Sequence, residues 1–236
     1  MWLITSVSND LGFLLTLRAL KAGHHAAAGH LVEMDMTESQ TIIHSNIRAV
    51  GHIDYPDDIT GLMYADIFGP IYTIQAALQI MRPRRAGTII NIYSVAAQGP
   101  LPARLVRPAL YAASKAAVEA MTEALRKEVE SFNIKFLVVQ PGSLRTNFMR
   151  GIRTCANPMP LIDRFKLYDG GQPNNPEKAA ERIFEIVTRQ CIGGGQSGKV
   201  QRLALGEDAL SCVQQSCERQ AHDIALGEEV ARRHRV

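Results

Sequence analysis

The sequence predicts an α/β fold, a doubly wound parallel sheet in three layers, and three observations carry that prediction. Residues 87–93 and 135–140 are continuous apolar, β-branched runs, as in strands buried on both faces. Between them, residues 110–132 are rich in Ala, Leu, Met, Glu, Lys and Arg, all good helix formers. Strands that alternate with helices call for a parallel sheet covered on both sides.

The elements follow in order. Residues 2–5 form a short apolar strand, 6–10 a polar loop, and Leu11, Leu14, Leu15, Leu17, Ala19 and Leu20 a helical stripe that Gly23 closes. Residues 31–36 read as a second short strand ending at Asp35. The helix over 110–132 buries Val118, Met121, Leu125 and Val129, and Pro141-Gly142 stops the strand after it. Residues 151–176 are loop-rich, 201–205 form a last strand, and a final helix starts at Glu207 with Leu210, Val213, Cys217 and Ile224 along one face.

Composition narrows the function. The chain has 236 residues, enough for one domain over 1–236 with a sizeable core. Its 26 Lys and Arg against 23 Asp and Glu leave a net charge of +3, too mild and too evenly spread for a nucleic-acid partner. The four cysteines form no C-x-x-C pair, and His24, His25 and His30 lack acid-paired spacing, so no metal is expected. Residues 193–199 match G-x-x-x-x-G-K, but Val200 stands where a phosphate loop needs Ser or Thr. With no leader pattern and no long apolar stretch, a cytoplasmic protein without a membrane span is expected.

The chemistry centres on Tyr111-Ala112-Ala113-Ser114-Lys115. Positions i and i+4 share a helix face, so a phenol and an ammonium stand side by side. The positive charge is expected to lower the tyrosine pKa from about 10 and so ready it for proton exchange with an alcohol or carbonyl. Ser94 ends the strand over 87–93, at the sheet edge where ligands gather.

These segments resemble the short-chain dehydrogenases/reductases: Tyr111 to Lys115 the Tyr-x-x-x-Lys motif, Asn91-Ile92-Tyr93-Ser94-Val95 the serine segment, and Pro141-Gly142 through Thr146 the cofactor loop. The resemblance implies a Rossmann-like fold and hydride transfer between NADP(H) or NAD(H) and a small carbonyl/alcohol substrate. Tyr111 would be the general acid/base and Ser94 would orient the substrate oxygen. Lys115 would tune Tyr111 and bond the nicotinamide ribose. Thr146 and the Leu144 backbone would meet the carboxamide side of the cofactor. Gly12 and Asp35 complete the cofactor candidates, and a homo-oligomer could form on the helix that carries Tyr111.

The chain departs from the family pattern in three places. The phosphate loop reads Thr5-Ser6-Val7-Ser8-Asn9-Asp10-Leu11-Gly12, with two of its three glycines replaced. Ser6 adds bulk, and Asp10 sets a carboxylate where a pyrophosphate would sit. At an effective dielectric near 20, like charges about 4 Å apart repel by roughly 4 kcal/mol, which would weaken the cofactor by about three powers of ten. The family's fourth catalytic residue, an Asn, is replaced by Asp66, which either keeps the water that Asn holds or clamps Lys115 as an ion pair. Finally, the Asn-Asn-Ala-Gly strand is absent, and the stretch between Gly23 and Leu31 is too short for the elements expected there. Either the fold closes over the missing central strand or coding sequence is lacking. These departures keep two alternatives open: a cofactor-independent isomerase, dehydratase or cyclase, and an inactive binding homologue.

Overall fold

The computed structural model describes residues 1–5, 11–29, 63–95, 98, 109–147, 170–188 and 200–233. Among the described residues, five parallel strands form one sheet in the order β2-β1-β3-β4-β5. They are β1 (Trp2–Thr5), β2 (Ala26–Gly29), β3 (Gly87–Ile92), β4 (Ile134–Pro141) and β5 (Arg202–Leu205). The helices are α1 (Leu11–Lys21), α2 (Gly69–Arg84), α3 (Ala109–Glu128), α4 (Pro176–Thr188) and α5 (Glu207–Arg232). A wide π-helical turn, Tyr64–Phe68, leads into α2, and a tight 3-10 turn, Glu130–Phe132, follows α3.

The sheet closes over the missing strand. β1 pairs with β2 along one edge and with β3 along the other, with Leu3 beside Ile89 and Ile4 beside Ile90. Both edges of β1 are therefore taken, and nothing fits between it and β3. The ladder ends at Ile90, and the next free amide, on Ile92, donates to the Thr5 hydroxyl at 3.2 Å. A buried backbone donor that has lost its strand partner must find another acceptor, and Thr5 supplies it.

Two apolar layers cover the sheet. Ile4, Ile90, Leu137 and Val139 face α1 and α4, where Leu15, Ile183 and Phe184 fill the space. Leu3, Ile89 and Phe136 face α2, with Ile74, Leu78 and Met81, and the end of α3. Strand residues alternate between the two layers, and both faces are apolar, hence the unbroken hydrophobic runs. The side chain of Trp2, the chain's one tryptophan, is buried, stacked on His24 at 4.9 Å between centroids and tilted against Phe184. α1 ends as its sequence suggests, with Gly23 at a φ of 80° and the His24 amide donating back to the Ala19 carbonyl.

Three expectations need correction. The second strand is Ala26–Gly29, in the stretch read as a shortfall, because pairing to β1 overrides the poor strand propensity of Ala-Ala-Ala-Gly. Residues 31–36 and 193–199 lie outside the described residues. On α5 the buried residues are Ala209, Cys212 and Ser216, whereas Leu210 and Cys217 are exposed and Ile224 is 71% exposed. Cys212 and Ala209 pack against Val95, so a close approach selects small side chains for that face. Finally, Asn175-Pro176 opens a helix that loop-rich composition had hidden. The Asn175 side chain caps it, accepting from the amides of Glu177 and Lys178 at 2.8 and 3.0 Å.

Among the described residues no helix is long and apolar enough to cross a membrane. Ile183 is fully buried between α4 and the sheet. Ile183→Ala is expected to cost about 2–5 kcal/mol, read as a lower urea midpoint with an unchanged folded far-ultraviolet spectrum.

Candidate active site

In a parallel sheet all strands end at one edge, so Thr5, Ser94, Gly142 and Leu205 follow or end their strands on the same side. The chain runs from β1 to β2 on one side, then crosses to β3 on the other. That reversal lies between the carboxyl ends of β1 and β3, and open parallel sheets bind their ligands in the crevice at such a switch point.

β3 and α3 are tied by three polar rungs. Asn91 Nδ2 donates to Thr122 Oγ1 at 2.7 Å, and Thr122 in turn donates to the Val118 carbonyl at 2.6 Å. The next rung is a side-chain hydrogen bond between Tyr93 and Glu119. Gln98 Nε2 also donates to that carboxylate at 2.6 Å, and Arg202 Nε of β5 at 2.7 Å. Burial, with Glu119 beside it, pushes the Tyr93 phenol well above its ordinary range, so it stays protonated and structural. The last rung joins the side chains of Ser94 and Tyr111. Residue 91 of β3 and residues 93 and 94 just beyond it thus meet α3 residues 122, 119 and 111 in reverse order, as an antiparallel crossover helix requires.

One helical turn beyond Tyr111, Lys115 is only 6% exposed, with its Nζ 5.4 Å from the centre of the phenol ring. Its partner comes from the π-helical turn: Asp66 Oδ1 accepts from Lys115 Nζ at 2.9 Å. Asp66 Oδ2 accepts from the buried Ser114 hydroxyl at 2.7 Å. Ser114 also lies 2.9 Å from the Tyr111 carbonyl, so its one proton has two acceptors, of which the carboxylate is the stronger. Wide turns of this kind are rare within helices and often occur at functional sites. Of the two possibilities for Asp66, the structure has the clamp.

The electrostatics reverse one expectation. Burial raises the Tyr111 pKa, Lys115 lowers it, Asp66 raises it and the Ser94 hydrogen bond lowers it; the net direction is up. The ammonium does act as the spacing suggested, but Asp66 cancels much of its field and desolvation of the phenolate outweighs the rest. For Lys115, burial pulls the pKa down, yet the Asp66 and Tyr111 charges and the Asp66 hydrogen bond carry it up, so the amine stays charged.

The loop after β4 is pinned from three sides. Gly142 donates to the Leu205 carbonyl at 2.9 Å, and the Ser143 amide donates to Asp208 Oδ2 at 2.7 Å. Asn174 Nδ2 donates to Asp208 Oδ1 at 2.8 Å and to the Ser143 carbonyl at 3.1 Å. A Cβ on Gly142 would collide with the Asp208 carboxylate, which explains the glycine. This clamp shapes the turn that bears Leu144 and Thr146, where the Thr146 amide donates to the Leu144 carbonyl at 2.9 Å. Neither Asp208 nor Asn174 is among the residues that the sequence motifs single out.

The structure therefore gathers Asp66, Ser94, Tyr111 and Lys115 into one cluster. Leu144, Thr146 and Gly12 stand at the same sheet edge, Gly12 buried in the first turn of α1 with its carbonyl accepting from Thr16 at 2.8 Å. Ser6, Asp10 and Asp35 lie outside the described residues.

Comparison with known proteins agrees with this geometry. The family model for short chain dehydrogenase matches residues 47–156, a span that takes in Asp66, Ser94, Tyr111, Lys115, Leu144 and Thr146. The oxidoreductase claN of Passalora fulva is 31% identical over 199 residues, covering 68% of this chain and 87% of its own. A 3-ketodihydrosphingosine reductase of Bacteroides thetaiotaomicron is 39% identical over 92 residues, 39% of this chain and 33% of that protein. Among solved structures, a short-chain dehydrogenase from Streptomyces avermitilis superposes with a TM-score of 0.75 at 25% identity, covering 100% of this chain and 98% of that one. Another, from Burkholderia cenocepacia in complex with NADP, has a TM-score of 0.63 at 19% identity, over 95% of each chain. The chain belongs to the short-chain dehydrogenase family, and with it to the oxidoreductases.

The two raised pKa values make a stability prediction. Lys115 rises above its ordinary 10.5 on folding, so its contribution is complete below that pH and is lost as pH climbs through the folded value. Tyr111 rises above 10.0, so the unfolded chain sheds that proton first and folding loses ground over the same range. Tm should hold level from neutral to about pH 9 and fall above about pH 10, and Tyr111→Phe should lessen the fall.

Proposed function

We propose that the protein transfers a hydride between a nicotinamide dinucleotide and a small carbonyl/alcohol substrate, with Tyr111 as general acid/base. The observation that carries this is the single cluster of Ser94, Tyr111, Lys115 and Asp66 at the carboxyl edge of β3, beside the crevice between β1 and β3. Related folds crystallised with NADP and with NAD support a dinucleotide in that crevice.

Most of the residues present fit such a cofactor: α1 follows β1 and carries Gly12 buried in its first turn, and helix amino termini of this kind receive phosphate. Ser6 and Asp10, which lie outside the described residues, oppose tight binding of the pyrophosphate. Lys115 keeps its charge and would bond the nicotinamide ribose, and the pinned turn with Leu144 and Thr146 would border the carboxamide. When bound, the nicotinamide supplies or accepts the hydride.

The chain's own residues handle the proton. Ser94 holds the substrate oxygen next to the Tyr111 hydroxyl, to which its own side chain is already hydrogen-bonded. Tyr111 gives its proton to a carbonyl oxygen or takes one from an alcohol, a contribution of about 10²–10⁴ in rate. The rungs below, Tyr93 to Glu119 and Asn91 to Thr122, keep the serine and the phenol in register.

Titration of the purified protein with NADPH and with NADH, followed by nicotinamide fluorescence, should show saturable binding of at least one. Tyr111→Phe should keep that binding and lower kcat by about 10²–10⁴ on a turned-over carbonyl. Absence of binding at millimolar concentration of both, or turnover with no dinucleotide added, would overturn the redox reading.

A further inference from the structure

We propose that Asp66 sets the resting protonation state of the site: by closing an ion pair on Lys115 it holds Tyr111 as the proton donor that carbonyl reduction needs. The inference rests on the reading that Tyr111 is the acid/base.

The geometry is specific. Both oxygens of Asp66 are occupied, one by the Lys115 ammonium at 2.9 Å and one by the Ser114 hydroxyl at 2.7 Å. The side chains of the pair are 7% and 12% exposed, so water screens the pair little. Among the described residues, the charged groups that act on Tyr111 are Lys115 from its own helix and Asp66 from the π-helical turn, and the Ser94 hydroxyl bonds it from the end of β3. Asp66 returns a negative charge for the positive one that Lys115 supplies. An amide at position 66 would accept the same hydrogen bond without that charge.

The consequence concerns which protonation state is on hand. In reduction, the phenol O–H breaks, its proton forms the new O–H on the carbonyl oxygen, and the carbonyl carbon takes a hydride from the reduced dinucleotide, which is oxidised. The phenolate then regains a proton from solvent. The reverse direction needs the phenolate at the start. Each pH unit below the tyrosine pKa makes that form tenfold scarcer, while the acid form stays near full occupancy. The equilibrium of the reaction, and with it the ratio of forward to reverse efficiency at a given pH, is untouched; what Asp66 governs is the protonation state in which the resting site waits.

The test needs no cofactor. Tyrosinate absorbance is recorded from about pH 7 to about pH 11 for the wild type and for Tyr111→Phe, and the difference isolates Tyr111. Tyr111 is expected to ionise above the ordinary tyrosine range in the wild type, and Asp66→Asn to move its ionisation to lower pH. Ionisation of wild-type Tyr111 at or below about pH 9, or no downward movement in Asp66→Asn, would overturn the proposal. If Asp66→Asn does not fold, Asp66→Ser takes its place, since burial alone also raises the Tyr111 phenol and the wild-type curve does not single out Asp66. Because dinucleotide binding is measured separately, failure of the redox reading and failure of the Asp66 proposal give different results.

Discussion

A strand in the middle of a buried sheet cannot leave a backbone edge unpaired, and that constraint organises the molecule. β1 has lost the neighbour that the family pattern places beside it, and its N–H and C=O groups have no water to turn to. It therefore pairs directly with β3 over Trp2, Leu3 and Ile4, and Thr5 takes up the amide where the ladder stops. The contraction leaves the reversal of strand order intact, since β1 still separates β2 from β3. With the reversal goes the crevice, and with β3 go Ser94 and the helix that carries Tyr111 and Lys115.

The site is held by the same logic of satisfied buried groups. Lys115 is buried and charged, which is tolerable because Asp66 and its partner Ser114 answer it. Glu119 is answered by Tyr93, Gln98 and Arg202, and Asp208 by Ser143 and Asn174. Each carboxylate joins elements distant in sequence: the π-helical turn to α3, α3 to β5, and α5 to the loop after β4. Polar groups in the interior thus do the positioning that apolar contacts, lacking direction, leave open.

Much of this was legible in the residues. β1, β3, β4 and β5 show as short apolar runs, those of β3 and β4 bounded by Gly or Pro, and the Tyr-Lys helix as a dense stretch of helix formers. β2 was not, because Ala-Ala-Ala-Gly has no preference for a strand and only its contact with β1 makes it one. Asp66 was marked as a departure, but sequence spacing could not choose between a water site and a clamp, since Asp66 and Lys115 stand 49 residues apart. The direction of the Tyr111 shift failed for the same reason: the i to i+4 neighbour is visible in a sequence, whereas burial and a distant carboxylate are not. On α5 the large apolar residues suggested the inner face, yet the crowding by Val95 gave that face to Ala209 and Cys212.

Trp2 has a use that its packing suggests. It is the chain's one indole, sealed at the amino-terminal end of β1 between an imidazole and a phenyl ring. The crevice lies at the opposite end of that strand, so the fluorophore sits apart from the chemistry while touching α4 through Phe184. Its emission is a native optical gauge of whether the α1/α4 layer is seated on the sheet, free of added dyes and of the residues that handle protons.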